Sequence, residues 1–258
     1  MPKGEKAILK RLLDKGRRIF EAPPKRIVPF TGNSEADSFL NDLRNYPHAF
    51  VLACLMDRQT KAENAWIIPF NISKTLQGFS IDILKKLTSK ETQKLISTTR
   101  PIHRLHSKMG PLFHSCINRI VNEYDGDAAR IWKGKPSSAE LVYRFLQFDG
   151  IGPKISTMAT NILARDFKVP LSDYYSVDIS ADVHVKRVFT KLGLCDEDPT
   201  PEQIIYKARS LHPEFPGLLD MPCFEIGRNW CRPQKPLCQE CYMKNICPSA
   251  AQLYSNET

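Results

Sequence analysis

"FLQFDGIGPKISTMATNILA" occupies residues 145–164. Its apolar spacing predicts one helix ending at Phe148 and a second starting near Pro153, where proline suits the first turn. Gly150-Ile151-Gly152 makes the tight turn between them. Glycines let a backbone approach a partner closely, and exposed amides at a helix start favour an anion, so a DNA phosphate fits here. A tight helical hairpin wants glycine in any case. Lys154, on the first turn of the second helix, is by default a solvated surface group.

Helical periodicity runs outward from this hairpin. "AILKRLLDKGRRIF", "EADSFLNDLRNY", "HAFVLACLMDRQTKAENAWII", "MGPLFHSCINRIVNEY" and "SSAELVYRFLQF" read as amphipathic helices. "IDILKKLT" and "ETQKLIST" read as short ones, with Ser80 and Ser89 as N-caps. Only "DYYSVDIS" has β-like character, and it also reads as loop. The expectation is an all-α fold. Breaks rich in Pro, Gly, Ser or Asp fall at 21–32, 125–138 and 168–175.

"SADVHVKRVFTKLGL", residues 180–194, places an acid at the start of an amphipathic helix. The ordinary role for Asp182 is N-cap. Asp178, four residues earlier, competes with it for any chemical role.

Five of the eight cysteines fall between Cys223 and Cys247. Four of them, Cys231, Cys238, Cys241 and Cys247, are spaced C-x6-C-x2-C-x5-C, and Pro233, Pro236 and Pro248 favour turns around them. Four thiolates converging on one centre suit a four-iron, four-sulfur cluster or a tetrahedral zinc. Zinc sites more often show two paired C-x2-C knuckles, and here there is one. Cys223, Cys54, Cys116 and Cys195 read as small apolar core residues.

The 258 residues allow one large or two modest domains with a real core. Apolar residues are 42% and charged residues 25%, an ordinary globular composition. No apolar run is long enough for a transmembrane helix, and the N-terminus lacks a signal-peptide core, so the expectation is a soluble, cytoplasmic (nucleoid-associated) protein without disulfides. A formal charge of +9 suggests a polyanionic partner. Residues 1–26 hold nine Lys or Arg against three acids, a net +6 that suits either a solvated helix face or a phosphate-contacting surface.

Taken together, the "FDGIGPK" hairpin, "ADVHVKRV" at Asp182, His184, Arg187 and Val188, and the cysteine spacing resemble the endonuclease III superfamily of helix-hairpin-helix DNA glycosylases. "FEIGRNWC" resembles the Gly-Arg helix leading into that family's first cluster cysteine. "LMDRQTKAENAW" resembles the segment carrying a gap-filling glutamine, here Gln59. The resemblance covers roughly residues 45–247.

It implies two α-helical domains, a six-helix barrel over 36–166 and a discontinuous cluster domain over 1–35 and 167–258, with a DNA groove between them. It implies double-stranded DNA carrying a damaged or mismatched base as substrate, a 4Fe-4S cluster on the four cysteines with zinc as the alternative, and a monomer. A glycosylase must flip its target out of the stack. Gly150 and Gly152 would anchor phosphates, Gln59 would fill the hole, and His184, Arg232 and Lys235 would lie at the DNA. Lys154 resembles the nucleophilic lysine of members that also cleave the strand as AP lyases through a Schiff base, and Asp182 would stabilise charge on the sugar or help deprotonate the nucleophile. A monofunctional enzyme acting on mismatched thymine, uracil or adenine through Asp182-activated water, and a non-catalytic DNA-binding protein, are the alternatives.

Two stretches depart from the family. "RDFKVPLSDYYSVDIS" reads as an insertion before Asp182, in which Tyr174 and Tyr175 serve packing or stack on a base. "RPIHRLHSKMGPLFHSCINRI" carries His103, His106 and His114 with Arg100, Arg104 and Lys108, read as a basic surface facing DNA. Both point to a divergent branch with altered base specificity.

Overall fold

The computed structural model describes residues 3–255; residues 1, 2 and 256–258, which the sequence-based domain ranges include, lie outside it. The described residues form α-helices joined by turns and by two longer loops, 166–182 and 230–247, with no strand among them. The order is α1 (Lys3–Glu21), α2 (Ser34–Asn41), α3 (Pro47–Met56), α4 (Ala62–Trp66), α5 (Ile68–Leu76), α6 (Ile81–Leu84) and α7 (Ser89–Thr98). There follow α8 (His106–Glu123), α9 (Ser138–Leu146), α10 (Pro153–Arg165), α11 (Val183–Lys191), α12 (Pro201–Leu211), α13 (Asp220–Asn229) and α14 (Pro248–Ser255). Short 3-10 turns occupy Ala128–Ile131 and Pro216–Leu219. No described helix is long and apolar enough to cross a membrane.

The chain divides into two compact units, one of residues 25–136 and 140–159, the other of 1–24, 137–139 and 160–258. The first is built around α3, all ten of whose residues are buried. A helix apolar on every side has to be surrounded, and α2, α4, α5, α8 and the Ala128–Ile131 turn pack on it. The expected long helix over 48–68 therefore stops at Met56, where the sequence turns polar at Asp57-Arg58-Gln59, and resumes as α4. Thr88, not Ser89, caps α7, because its hydroxyl and Glu91 close a reciprocal capping box. Ser80 caps α6 as its sequence suggests.

His103 is not on a basic surface. It is 2% exposed, its Nε2 donates to the Met56 carbonyl at the end of α3 (2.9 Å), and its Nδ1 accepts from the Leu105 amide (3.0 Å). Burial lowers its pKa, the charges of Arg58 and His106 add to that, and its backbone bonds oppose it. The ring is a neutral clasp between α3 and the start of α8. His106, Arg104, Lys108 and Arg100 are exposed.

In the second unit α1 packs on α13 and on the Pro216–Leu219 turn. Lys15 pairs with Glu225 (2.9 Å) and Lys207 with Glu5 (2.6 Å). Gly16 makes the approach possible, since a Cβ there would sit 2.1 Å from the Leu218 carbonyl oxygen. Helix α11 packs along α13, where a Cβ on Gly227 would come within 2.7 Å of the His184 Cβ. "DYYSVDIS" is loop, not strand. Tyr174 in it is half-buried and packs against Phe20 (5.4 Å between ring centroids) and Phe215 (4.6 Å), while Tyr175 is exposed.

Gly16→Ala and Gly227→Ala are each expected to cost about 2–3 kcal/mol, as overpacking against backbone or Cβ atoms does. Gly4→Ala, with nothing within 4 Å of its Cβ, should change stability by less than about 1 kcal/mol. Denaturant midpoints measure all three.

Candidate functional site

The candidate residues fall into two groups, one in each unit. In the first unit, α9 ends at Leu146 and the chain turns through Gln147–Gly152 into α10. The amide of Ile151 donates to the Phe148 carbonyl (2.9 Å), closing the turn. Gly150 adopts φ +86°, and a Cβ there would meet Leu112 at 2.8 Å and both Arg58 and Leu55 at 3.1 Å. Only glycine satisfies both the conformation and the space. Helix α8 braces the turn: Ser115 donates to the Asp149 carboxylate (2.5 Å) and Arg119 donates to the Gln147 carbonyl.

Gly152 differs. Its φ is ordinary, and nothing lies within 4 Å of where a Cβ would be. At the N-cap of α10 its carbonyl accepts from the amides of Ile155 and Ser156 (3.0 Å each), and it brings no side chain to cover the helix start. Lys154 is exposed on this first turn. Gln59 is exposed in the loop between α3 and α4 with φ 50°, a left-handed conformation uncommon for glutamine. Its neighbour Arg58 lies against Gly150. The loop that carries Gln59 thus lies, through Arg58, against the turn that leads to Gly152 and Lys154.

In the second unit Asp182 is the N-cap of α11. Its Oδ1 accepts from the amides of His184 (2.9 Å) and Val185 (2.8 Å), and it is half-buried. Asp178 is buried instead in a two-pronged ion pair with Arg209 (2.8 and 2.7 Å), which raises the Arg209 pKa chiefly through the hydrogen bond. Its carbonyl accepts from Asn161 (2.7 Å). That carboxylate is committed to holding the loop. His184 is half-buried, with Nδ1 3.1 Å from Arg187 and its ring edge-on to Phe224 (5.6 Å), so it faces α13.

Arg187 donates through Nε to the Cys231 carbonyl and through Nη2 to the Gly227 carbonyl (2.8 Å), joining α11 to the cysteine segment. Cys231, Cys238, Cys241 and Cys247 line one pocket together with Val188, Leu192, Ile226 and Met243. Burial pushes the thiols of Cys231, Cys238 and Cys241 up, and each is raised further by neighbouring thiols of the set, so the four share one electrostatic environment. The Met243 amide donates to the Cys241 sulfur (3.5 Å). No three His, Cys, Asp or Glu side chains among the described residues close on a single metal ion. Arg232 and Lys235 are exposed on the intervening loop, Lys235 with φ 49°.

No family model matches the chain. Endonuclease III of Thermotoga maritima is 34% identical over 132 residues, 51% of this chain and 53% of that protein. The structure of a trapped endonuclease III–DNA covalent intermediate superposes with a TM-score of 0.64 over 98% of this chain and all of that one, at 16% identity. A thermostable thymine-DNA glycosylase gives 0.62 over 97% of this chain and 98% of its own, at 15% identity. The chain shares the fold of these endonuclease III-like structures. It spans about half the length of the curated endonuclease III relatives it matches.

The sequence located both the glycine hairpin and the acid-capped helix. It missed Asp220, a buried acid at the start of α13, and the Arg209 and Asn161 contacts that fix the Asp182 loop. Each joins chain segments far apart in number, and no local pattern marks them.

Gly150→Ala should destabilise the fold by about 2–4 kcal/mol, combining left-handed strain with overpacking. Gly152→Ala should stay within about 0.5 kcal/mol of the parent. Paired urea titrations decide it.

Proposed function

We propose that this chain is a base-excision DNA glycosylase with an associated abasic-site lyase, acting on double-stranded DNA that carries a damaged or mismatched base. Lys154 carries the reading. It is an exposed amine one turn into a helix that opens on glycine, in a chain that matches over nearly its whole length a protein trapped in covalent linkage to DNA. The amides of the Gly150–Gly152 turn would hold a phosphate of the strand, and Gln59, exposed on its loop, would fill the space of the extruded nucleotide.

In the proposed reaction the Lys154 amine forms a bond to C1′ as the bond from C1′ to the base nitrogen breaks, and the base leaves with the electron pair. Loss of the amine proton and opening of the sugar ring give a Schiff base. Removal of a C2′ proton then expels the 3′ phosphate by β-elimination. Asp182 uses Oδ1 for the helix cap, and Oδ2 would offset positive charge on the sugar or take up the amine proton. Asp178 is set aside by its ion pair with Arg209. His184 would act by orienting α11 against α13 and not by touching DNA.

The four cysteines would hold a 4Fe-4S cluster. Four thiols around one pocket that do not close on a single ion suit several irons better than one zinc, and the amide on the Cys241 sulfur and the apolar lining suit a cluster too. Bound there, the cluster would cross-link the loop and present Arg232 and Lys235 to phosphate. The domains would be 36–166 and 1–35 with 167–258, and the chain a monomer.

Borohydride should trap the chain on a duplex carrying its lesion or an abasic site, and Lys154→Ala should abolish the adduct. Absence of an adduct on every duplex refutes the lysine role, and base release without one assigns the chemistry to water activated by Asp182. Asp182→Asn should lower single-turnover base release at least about 100-fold with stability nearly unchanged, because asparagine caps a helix as well as aspartate does. Asp178→Asn should do the reverse, costing about 1–3 kcal/mol of stability with base release retained.

Metal analysis of the purified chain should find iron and sulfide in roughly equal amounts. Cys238→Ser should reduce both along with the visible absorbance. Stoichiometric zinc without sulfide assigns the cysteines to zinc.

A further inference from the structure

The geometry points to Asp220 as a positioning residue for Asp182: a buried second carboxylate that fixes the backbone entering Asp182 and adds negative potential beside it. The inference rests on the reading of Asp182 as the acid that meets the sugar.

Asp220 begins α13 and is 8% exposed. Its Oδ1 accepts from the Ser180 amide (2.6 Å), and the Ser180 carbonyl in turn accepts from the Asp182 amide (2.6 Å). The run from Val177 to Asp182 is therefore held at three places. The Gly217 amide donates to the Val177 carbonyl (2.6 Å), Asp178 is locked to Arg209, and Ser180 hangs on Asp220. Asp220 is the last tie before Asp182, and it is made by a buried carboxylate to a backbone amide.

That charge has little compensation. Arg165 on α10 approaches Oδ2 only to 3.7 Å and is already bound to Asp166 by Nε (3.1 Å) and Nη2 (2.7 Å). The other charged or titratable groups facing Asp220 are Asp182 at the cap of α11 and the Cys223 thiol one turn along α13. Burial raises the Asp220 pKa to about 6, Arg165 and the Ser180 bond oppose the rise, and the charge of Asp182 adds to it.

The sign follows directly. A folded value above the ordinary 3.8 means that this group favours the fold when protonated, and that the gain is lost as pH rises through about 6. At neutral pH the ionised carboxylate works against stability. A carboxamide of the same shape would accept the Ser180 amide without that cost, so the charge calls for another role. A cation forming on a sugar next to Asp182 supplies one, because fixed negative potential in a water-poor site lowers the energy of that cation.

The test compares the full-length chain with Asp220→Asn and Asp182→Asn. Asp220→Asn should keep the parent's DNA affinity and be equally or more stable at neutral pH, yet release base at least about tenfold more slowly. The parent's rate should fall as pH drops through about 6, and that limb should vanish in Asp220→Asn. Unchanged activity, an unchanged acid limb, or a rate loss matched by loss of fold overturns the inference.

Carbon-13 titration of the carboxyls gives a readout independent of turnover and of whether Asp220→Asn folds. The Asp220 midpoint should fall in Asp182→Asn, and an unmoved midpoint overturns the coupling. If Asp182→Asn keeps full activity, the Asp182 reading fails and this inference falls with it. If Asp182→Asn is dead and Asp220→Asn fully active, only the role of Asp220 fails.

Discussion

The guanidinium of Arg187 organises the second unit. It lies on α11, one turn after the Asp182 cap, and donates to the Gly227 carbonyl near the end of α13 and to the Cys231 carbonyl just beyond it. The last carbonyls of a helix lack partners within it, and a planar, permanently charged fork satisfies two such groups at once. The same side chain fixes His184. One residue thus sets the distance between the acid-capped helix and the first cysteine. Gly227 has no side chain because α11 presses against that point. Through this one side chain the acid-capped helix is tied to the segment that carries the first cysteine.

The first unit solves a different problem. Its hairpin is braced from one side by α8 and open at Gly152. The two glycines differ accordingly. Gly150 is pressed among Leu55, Arg58 and Leu112 in a conformation other residues resist, whereas Gly152 faces open space at a helix start. Rigidity comes from behind, through α8 and the fully buried α3, whose last carbonyls His103 clasps. The phosphate contact proposed for this turn would need such support, since positioning of this kind loses its value when the donors move.

Buried charge is distributed unevenly through the second unit. Asp178 is matched by a two-pronged arginine, while Asp220 is left with a distant and shared one. Structural ion pairs are generally satisfied, and partly satisfied ones concentrate where a charge has work to do. The contrast between two aspartates on the same few residues of chain separates the loop's mechanical anchor from the group that acts on its neighbour's carboxylate.

The sequence by itself determined the helical class, the glycine hairpin with its following lysine, the aspartate cap of α11 and the spacing of the four cysteines. These are local signals: periodicity, caps and turn residues depend on chain neighbours within about a turn or two of helix. Tertiary structure decided what each polar residue was left free to do. It took Asp178 for Arg209, turned His103 inward against α3, set His184 against α13 and packed Tyr174 against Phe20 and Phe215. It brought Asp220, 38 residues after Asp182 in the chain, to the backbone that carries it. Which of two neighbouring acids is spent on structure depends on the partner that arrives from a distant segment, and a chain read in order has no local pattern that records that arrival.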